Sequence, residues 1–171
     1  MKPNSSEEKR DVLLNRVLLA GFCGGVAEIV WVGFYCFLTG QSSAEVASQV
    51  TATLFPDAAN MAFAPGLGIA IHLVLSLLVA LFYAALVWLP FVRRFGPAAS
   101  MAVASAALAS IWAINFLVVL PVLNPIFVSL LPHAVTFGSK ILFGIAMAGV
   151  LMGAQRQRDD EEPGVSRRIV V

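Results

Sequence analysis

Charge is scarce in this chain. Only 12 % of its 171 residues are Asp, Glu, Lys or Arg, about half the share of an ordinary soluble domain. With 59 % of the residues hydrophobic, the apolar excess has to face lipid, and the length suits one compact domain. Net charge is +1, so no long-range field draws the chain to nucleic acid, and no basic or aromatic nucleic-acid motif is present. Cysteine is equally sparse. Cys23 and Cys36 would lie about 20 Å apart along one helix, beyond disulfide reach, and read as small apolar side chains. Histidine is represented by His72 and His133 alone. A bis-imidazole haem needs both at one depth on facing helices, and His133 beside Pro132 belongs nearer the membrane interface. A metal centre needs three or more ligands in reach, and here Glu28 and His72 stand alone. There is no Gly-rich phosphate loop, no nucleophile elbow and no His-Glu-x-x-His. No metal, cofactor or catalytic residue is expected, and the chain does not read as an enzyme.

Long apolar runs are abundant. Four occur, at about 12–38, 62–89, 98–120 and 133–153, each exceeding the roughly 20 residues that cross a bilayer core. The expected fold is all-α: a polytopic membrane protein with four transmembrane helices in two helical hairpins. Residues 1–11 form a short tail, 12–153 the membrane domain, and 154–171 a charged tail expected to be disordered. Lys and Arg set the orientation. Lys2, Lys9, Arg10 and Arg16 lie at the amino end, Arg93 and Arg94 in the 90–97 turn, and Arg156, Arg158, Arg167 and Arg168 at the carboxyl end. The 40–61 and 121–132 loops have none. Both termini are therefore expected on the cytoplasmic side. The first run is too long for a cleaved signal peptide, is preceded by Glu7, Glu8 and Asp11, and is interrupted by Glu28.

The two remaining loops carry further structure. In the first, Ser43 is a candidate helix cap, and Val46, Val50 and Leu54 make an apolar stripe suited to a helix on the outer membrane surface. In the second, Asn124 followed by Pro125 looks like a cap and first helical residue. This apolar, uncharged loop either dips into the interface or contacts another protein. Trp88 suits an interfacial belt. Trp31, Tyr35 and Trp112 read as packing residues.

Each apolar run also carries one strongly polar residue: Glu28, His72, Asn115 and Lys140. Such groups are costly in hydrocarbon and mark function or a specific helix contact. Gly21, Gly24, Gly25 and Glu28 share a side, and the Gly21–Gly25 pair lets another backbone approach. His72 lies in a stripe with Gly68, Ser76, Ala80 and Tyr83. Asn115 shares a side with Ser105 and Trp112. Lys140 lies in a row with His133, Thr136, Gly144 and Ala148. At about 1.5 Å per residue, all four polar groups fall in the middle or outer half of the bundle. A Glu28–Lys140 pair is expected, with His72 and Asn115 as hydrogen-bonding partners and Ser76, Thr136 and His133 as neighbours. The cluster is either a structural clasp or a proton or solute site, and the pair is either charged or neutral.

The returning helices can be laid on one another, His72-x3-Ser76-x3-Ala80 over Lys140-x3-Gly144-x3-Ala148, which suggests a parallel repeat. At the run HLVLSLLVALFYA from His72 to Ala84, and at WAINFLVVLP from Trp112 to Pro121, the chain resembles an uncharacterised family of small four-span bacterial inner-membrane proteins. The likeness covers roughly residues 17–153. Members often carry histidine where this chain has Lys140. The resemblance implies a four-helix fold in a bacterial cytoplasmic membrane and no activity. Two functional expectations follow from the residues. One is a non-catalytic accessory or assembly subunit, bound to other membrane subunits or to copies of itself. The other is a small transporter or proton-coupled carrier using the polar cluster.

Overall fold

The computed structural model describes residues 5–161. It is helical, with no strand among them. The elements are α1 (Ser5–Thr39), α2 (Ser43–Leu54), α3 (Ala64–Tyr83), α4 (Pro97–Ile114), α5 (Leu120–Leu123), α6 (Pro125–Leu130) and α7 (His133–Glu161). Four stretches are long and apolar enough to cross a membrane: Arg10–Thr39, Ala64–Trp88, Pro97–Leu123 and His133–Gly153. This is the make-up of a multi-pass integral membrane protein. The 35 residues of α1 make it about 52 Å long, well beyond a bilayer core of about 30 Å. The α7 backbone stays helical through Glu161, so the tail expected from residue 154 starts as helix. Residues 162–171 lie outside the described residues.

Two π-turns interrupt the spans, at Ala84–Trp88 and Asn115–Val119. Each precedes a proline, Pro90 or Pro121. A proline removes one helical N–H and crowds the carbonyl four residues back. Widening the preceding turn, with Leu89 N–H bonding Ala84 O and Leu120 N–H bonding Asn115 O, relieves that crowding. The second π-turn lets the third span run straight on into α5, three residues past its expected end.

α1 and α7 form the central pair, α3 flanks α1, and α4 flanks α7. A parallel repeat would match the α1–α7 contact with an equal α3–α4 contact, but α3 and α4 touch little. The repeat is therefore not expressed in the packing. Without a hydrophobic force between helices in lipid, close backbone approach does the work. A Cβ on Gly21 would lie 2.8 Å from Ala80 Cβ, and one on Gly144 would lie 2.8 Å from Ser105 Cα. The first contact draws α1 to α3, the second α7 to α4. Phe143, Leu108, Met147 and Leu151 fill the space between. Trp88 belongs to this core, with Tyr83, Ala84 and Val92. It is 8 % exposed, because the π-turn rotates it inward from the belt position its place near the end of the span suggested.

The loop end is more built than a surface helix. Ser42, rather than Ser43, caps α2, its hydroxyl accepting from Glu45 N–H at 3.2 Å. Of the expected stripe, Val46 packs, against Cys36 and Leu131, while the face of α2 turned to α3 is Ala47–Thr51. Thr51 Oγ1 donates to Ala64 O at 2.6 Å, and a Cβ on Gly68 would run into the Ala47 carbonyl. Leu54 stays 52 % exposed. Asn124 caps α6 as expected, accepting from Phe127 N–H at 3.0 Å. Its amide nitrogen also reaches Gln49 O, Gln49 Oε1 and Thr53 Oγ1, each at 3.1 Å, which ties α6 to α2.

Candidate functional site

Glu28 owes its direction to the glycines below it. Gly25 packs on α3, where a Cβ would lie 2.7 Å from Ser76 Oγ, and Gly24 packs on Phe143 of α7. At about 100° per residue, Glu28 falls between those two directions. It enters the junction of α1, α3 and α7 and is 6 % exposed.

There its two oxygens have different surroundings. Oε1 forms an ion pair with Lys140 Nζ at hydrogen-bonding distance. Ser139 Oγ lies 2.8 Å from the same oxygen and 2.8 Å from Thr136 O, so its single proton serves one acceptor at a time. Oε2 faces His72 Nε2 at 3.7 Å, beyond hydrogen-bond length. Both of these atoms are buried without a hydrogen-bond partner. The His72 ring also interacts with the Gly25 backbone, and Ser76 Oγ donates to His72 O at 2.8 Å.

Glu28, His72 and Lys140 therefore meet as expected, but Asn115 does not join them. It lies on the third span, which packs on α7 and not on α1, so α7 stands between Asn115 and Glu28. Its side chain makes no hydrogen bond with the other three. One turn earlier, Trp112 Nε1 donates to Thr136 Oγ1 at 3.0 Å. That bond turns the Thr136 hydroxyl toward α4, leaving only its carbonyl near the centre. His133 is exposed at the start of α7 and stands edge-on to Trp112, ring centroids 6.0 Å apart. Ser76 supports the His72 backbone rather than the carboxylate.

Ser139 is the member that sequence reading missed. It is 1 % exposed, and it lies about 100° from Lys140 on the helix, outside the row that contains Lys140. Both reach Glu28 because they approach its carboxylate from two sides. The available signal was a hydroxyl residue next to the lysine in a span. Two more buried polar atoms lack partners, Tyr83 Oη at the end of α3 and Trp88 Nε1 in the π-turn that follows it.

The centre can hold one more proton. In the tautomer of neutral His72 that carries its proton on Nδ1, Oε2 and Nε2 are two facing acceptors. Once they close by about 1 Å, a proton on Nε2 would make a charge-assisted bond to Oε2 and a proton on Oε2 a neutral O–H bond to Nε2. Lys140 keeps Oε1 occupied throughout.

Comparison of the chain with protein-family models, with characterised proteins and with solved structures returns no match.

Proposed function

We propose that this multi-pass membrane protein is a small proton-coupled carrier, with Glu28, His72 and Lys140 as its titrating centre and Ser139 as a positioning hydroxyl. One observation carries the reading: Glu28 Oε2 and His72 Nε2 are buried, unpartnered and 3.7 Å apart. A clasp serving stability alone gains nothing from two facing polar atoms left unmatched, since each costs about 1–3 kcal/mol. A site that takes up and releases a proton needs such a vacancy in one of its states. The membrane in question is a bacterial cytoplasmic membrane with both chain termini inside, as the Lys and Arg distribution and the family resemblance imply. The test is proton flux into liposomes holding the purified protein and a trapped pH dye. Wild type should acidify the lumen under an imposed gradient, and Glu28→Gln and His72→Gln should each abolish the signal. Equal flux in wild type and Glu28→Gln, or none in wild type, would overturn the reading.

A second reading is favoured by a separate observation. The α5–α6 segment exposes Val122 (81 %), Leu123 and Ile126 without a charge among them. An accessory or assembly subunit would cover this surface with another membrane chain or with a copy of itself. Extraction in mild detergent followed by size and composition analysis tests it. A particle of one chain alone would count against that role.

A further inference from the structure

We propose that α2 and α6 form a gate that closes the Glu28 centre from the loop end, held shut by the Asn124 amide. The inference rests on the carrier reading for its purpose but stands on its own geometry. Directly above Glu28 on α1, at one and two turns' spacing, lie Val32 and Cys36. Cys36 is 1 % exposed and packs with Val46 of α2 and Leu131 after α6, with Val32, Tyr35, Phe127 and Leu130 around them. This apolar plug sits about 6–12 Å nearer the loop end than Glu28. On α3, the turn above His72 is Gly68, which Ala47 and Thr51 of α2 cover. Two of the three helices that build the centre are thus capped by α2.

The parts that close the plug are joined to the spans by segments that can turn. Gly40, between α1 and α2, has φ of 74° and is the single positive φ among the described residues. That conformation is open to glycine and strained for other residues. At the far end of α2, Phe55 leaves the helix at φ −134° and ψ 75°. α6 is followed by the extended Leu131 at φ −124° and ψ 139°. Across the gap, few contacts hold the two pieces together. Asn124 Nδ2 reaches Gln49 and Thr53, and Gln41 Nε2 donates to Leu130 O at 3.3 Å. Because α2 is held on α3 by the Gly68–Ala47 approach and the Thr51–Ala64 bond, losing the Asn124 contacts would free α6 to lift from α2 and draw Phe127 and Leu131 away from Cys36.

Cys36 reports the state of the plug without reference to transport. In a Cys23→Ala background reconstituted in liposomes, a charged methanethiosulfonate added from the loop side should modify Cys36 slowly. Asn124→Asp keeps the oxygen that caps Phe127 N–H but removes the amide donor. It should raise the Cys36 modification rate about tenfold, the effect of one to two net hydrogen bonds. Gln49→Ala with Thr53→Val removes the two side-chain acceptors but leaves the Gln49 carbonyl, and should raise the rate in the same direction by a smaller factor. Equal rates in wild type and in both variants would overturn the gate, as would fast modification in wild type. The gate also predicts that Asn124→Asp raises proton leak and that adding Glu28→Gln removes that leak. Faster Cys36 labelling without any proton flux would keep the gate and discard the carrier.

Discussion

The energetic linkage of Glu28 and Lys140 can be measured directly. Lys140→Met leaves a carboxylate that is 6 % exposed with Ser139 as its remaining donor. Removing one partner of a buried pair costs about 3–5 kcal/mol. The Lys140 side chain is 17 % exposed and Ser139 stays in place, so a cost of about 3 kcal/mol is expected, at the lower end of that range. Glu28→Gln leaves an ammonium without its counter-charge and should cost about the same. The double variant has no unpaired charge left to bury. Its cost should be about 3–4 kcal/mol rather than the roughly 6 kcal/mol of two independent losses, a coupling of about 2–3 kcal/mol. Equilibrium unfolding in mixed micelles, followed through the fluorescence of Trp31, Trp88 and Trp112, gives all four free energies. Independent sites add within about 0.5 kcal/mol, so a coupling that small would refute the pairing and the centre built on it.

Other outcomes follow from the packing. Gly144→Ala brings its Cβ to 2.8 Å from backbone atoms of Ser105, which cannot yield as a side chain can. It should lose about 1–3 kcal/mol, whereas Gly33→Ala, with nothing within 4 Å, should be neutral or gain about 0.5–1 kcal/mol; thermal melts of the two variants check this. Ser139→Ala should cost about 1–3 kcal/mol and Asn115→Leu less than about 0.5 kcal/mol, and the opposite order in unfolding measurements would contradict the placement of α4. Trp112→Phe should cost about 1 kcal/mol through the lost bond to Thr136, and Thr136→Val should add little to it in a double-mutant cycle. Single cysteines replacing Ala59 and Phe95 should label from opposite faces of the membrane with an impermeant reagent, since one lies at the α2 end and the other in the α3–α4 turn.

Much of the site was legible because lipid makes the rule simple. A charged side chain deep within an apolar run needs a partner, and Glu28 and Lys140 are opposite charges far from the span ends, unlike Arg16 near the start of the first. The glycine row under Glu28 gave its direction, since small residues mark where another backbone comes close. Asn115 misled because a polar residue at matching depth says nothing about which helices are neighbours. Ser139 was overlooked because its row on α7 is not that of Lys140. The role of Asn124 was half visible: its cap follows from the proline after it, but its bonds to Gln49 and Thr53 join residues far apart in the chain. Of the Val46–Val50–Leu54 stripe, Val46 packs on Cys36 and Leu131 and Leu54 stays exposed, while the contact with α3 uses the smaller Ala47 and Thr51, which allow a closer approach to Gly68.

Composition and apolar run length determined the four spans and the helical class by themselves, because a backbone in hydrocarbon can satisfy its own hydrogen bonds within a single helix. Which helices touch is a different matter. α1 beside α7, α4 kept away from Glu28, and α2 folded over the loop end depend on how side chains from distant parts of the chain fit at close range. Several arrangements of the same four helices satisfy hydropathy equally well. The tertiary structure chose among them through a few glycine contacts and one buried carboxylate paired with a lysine.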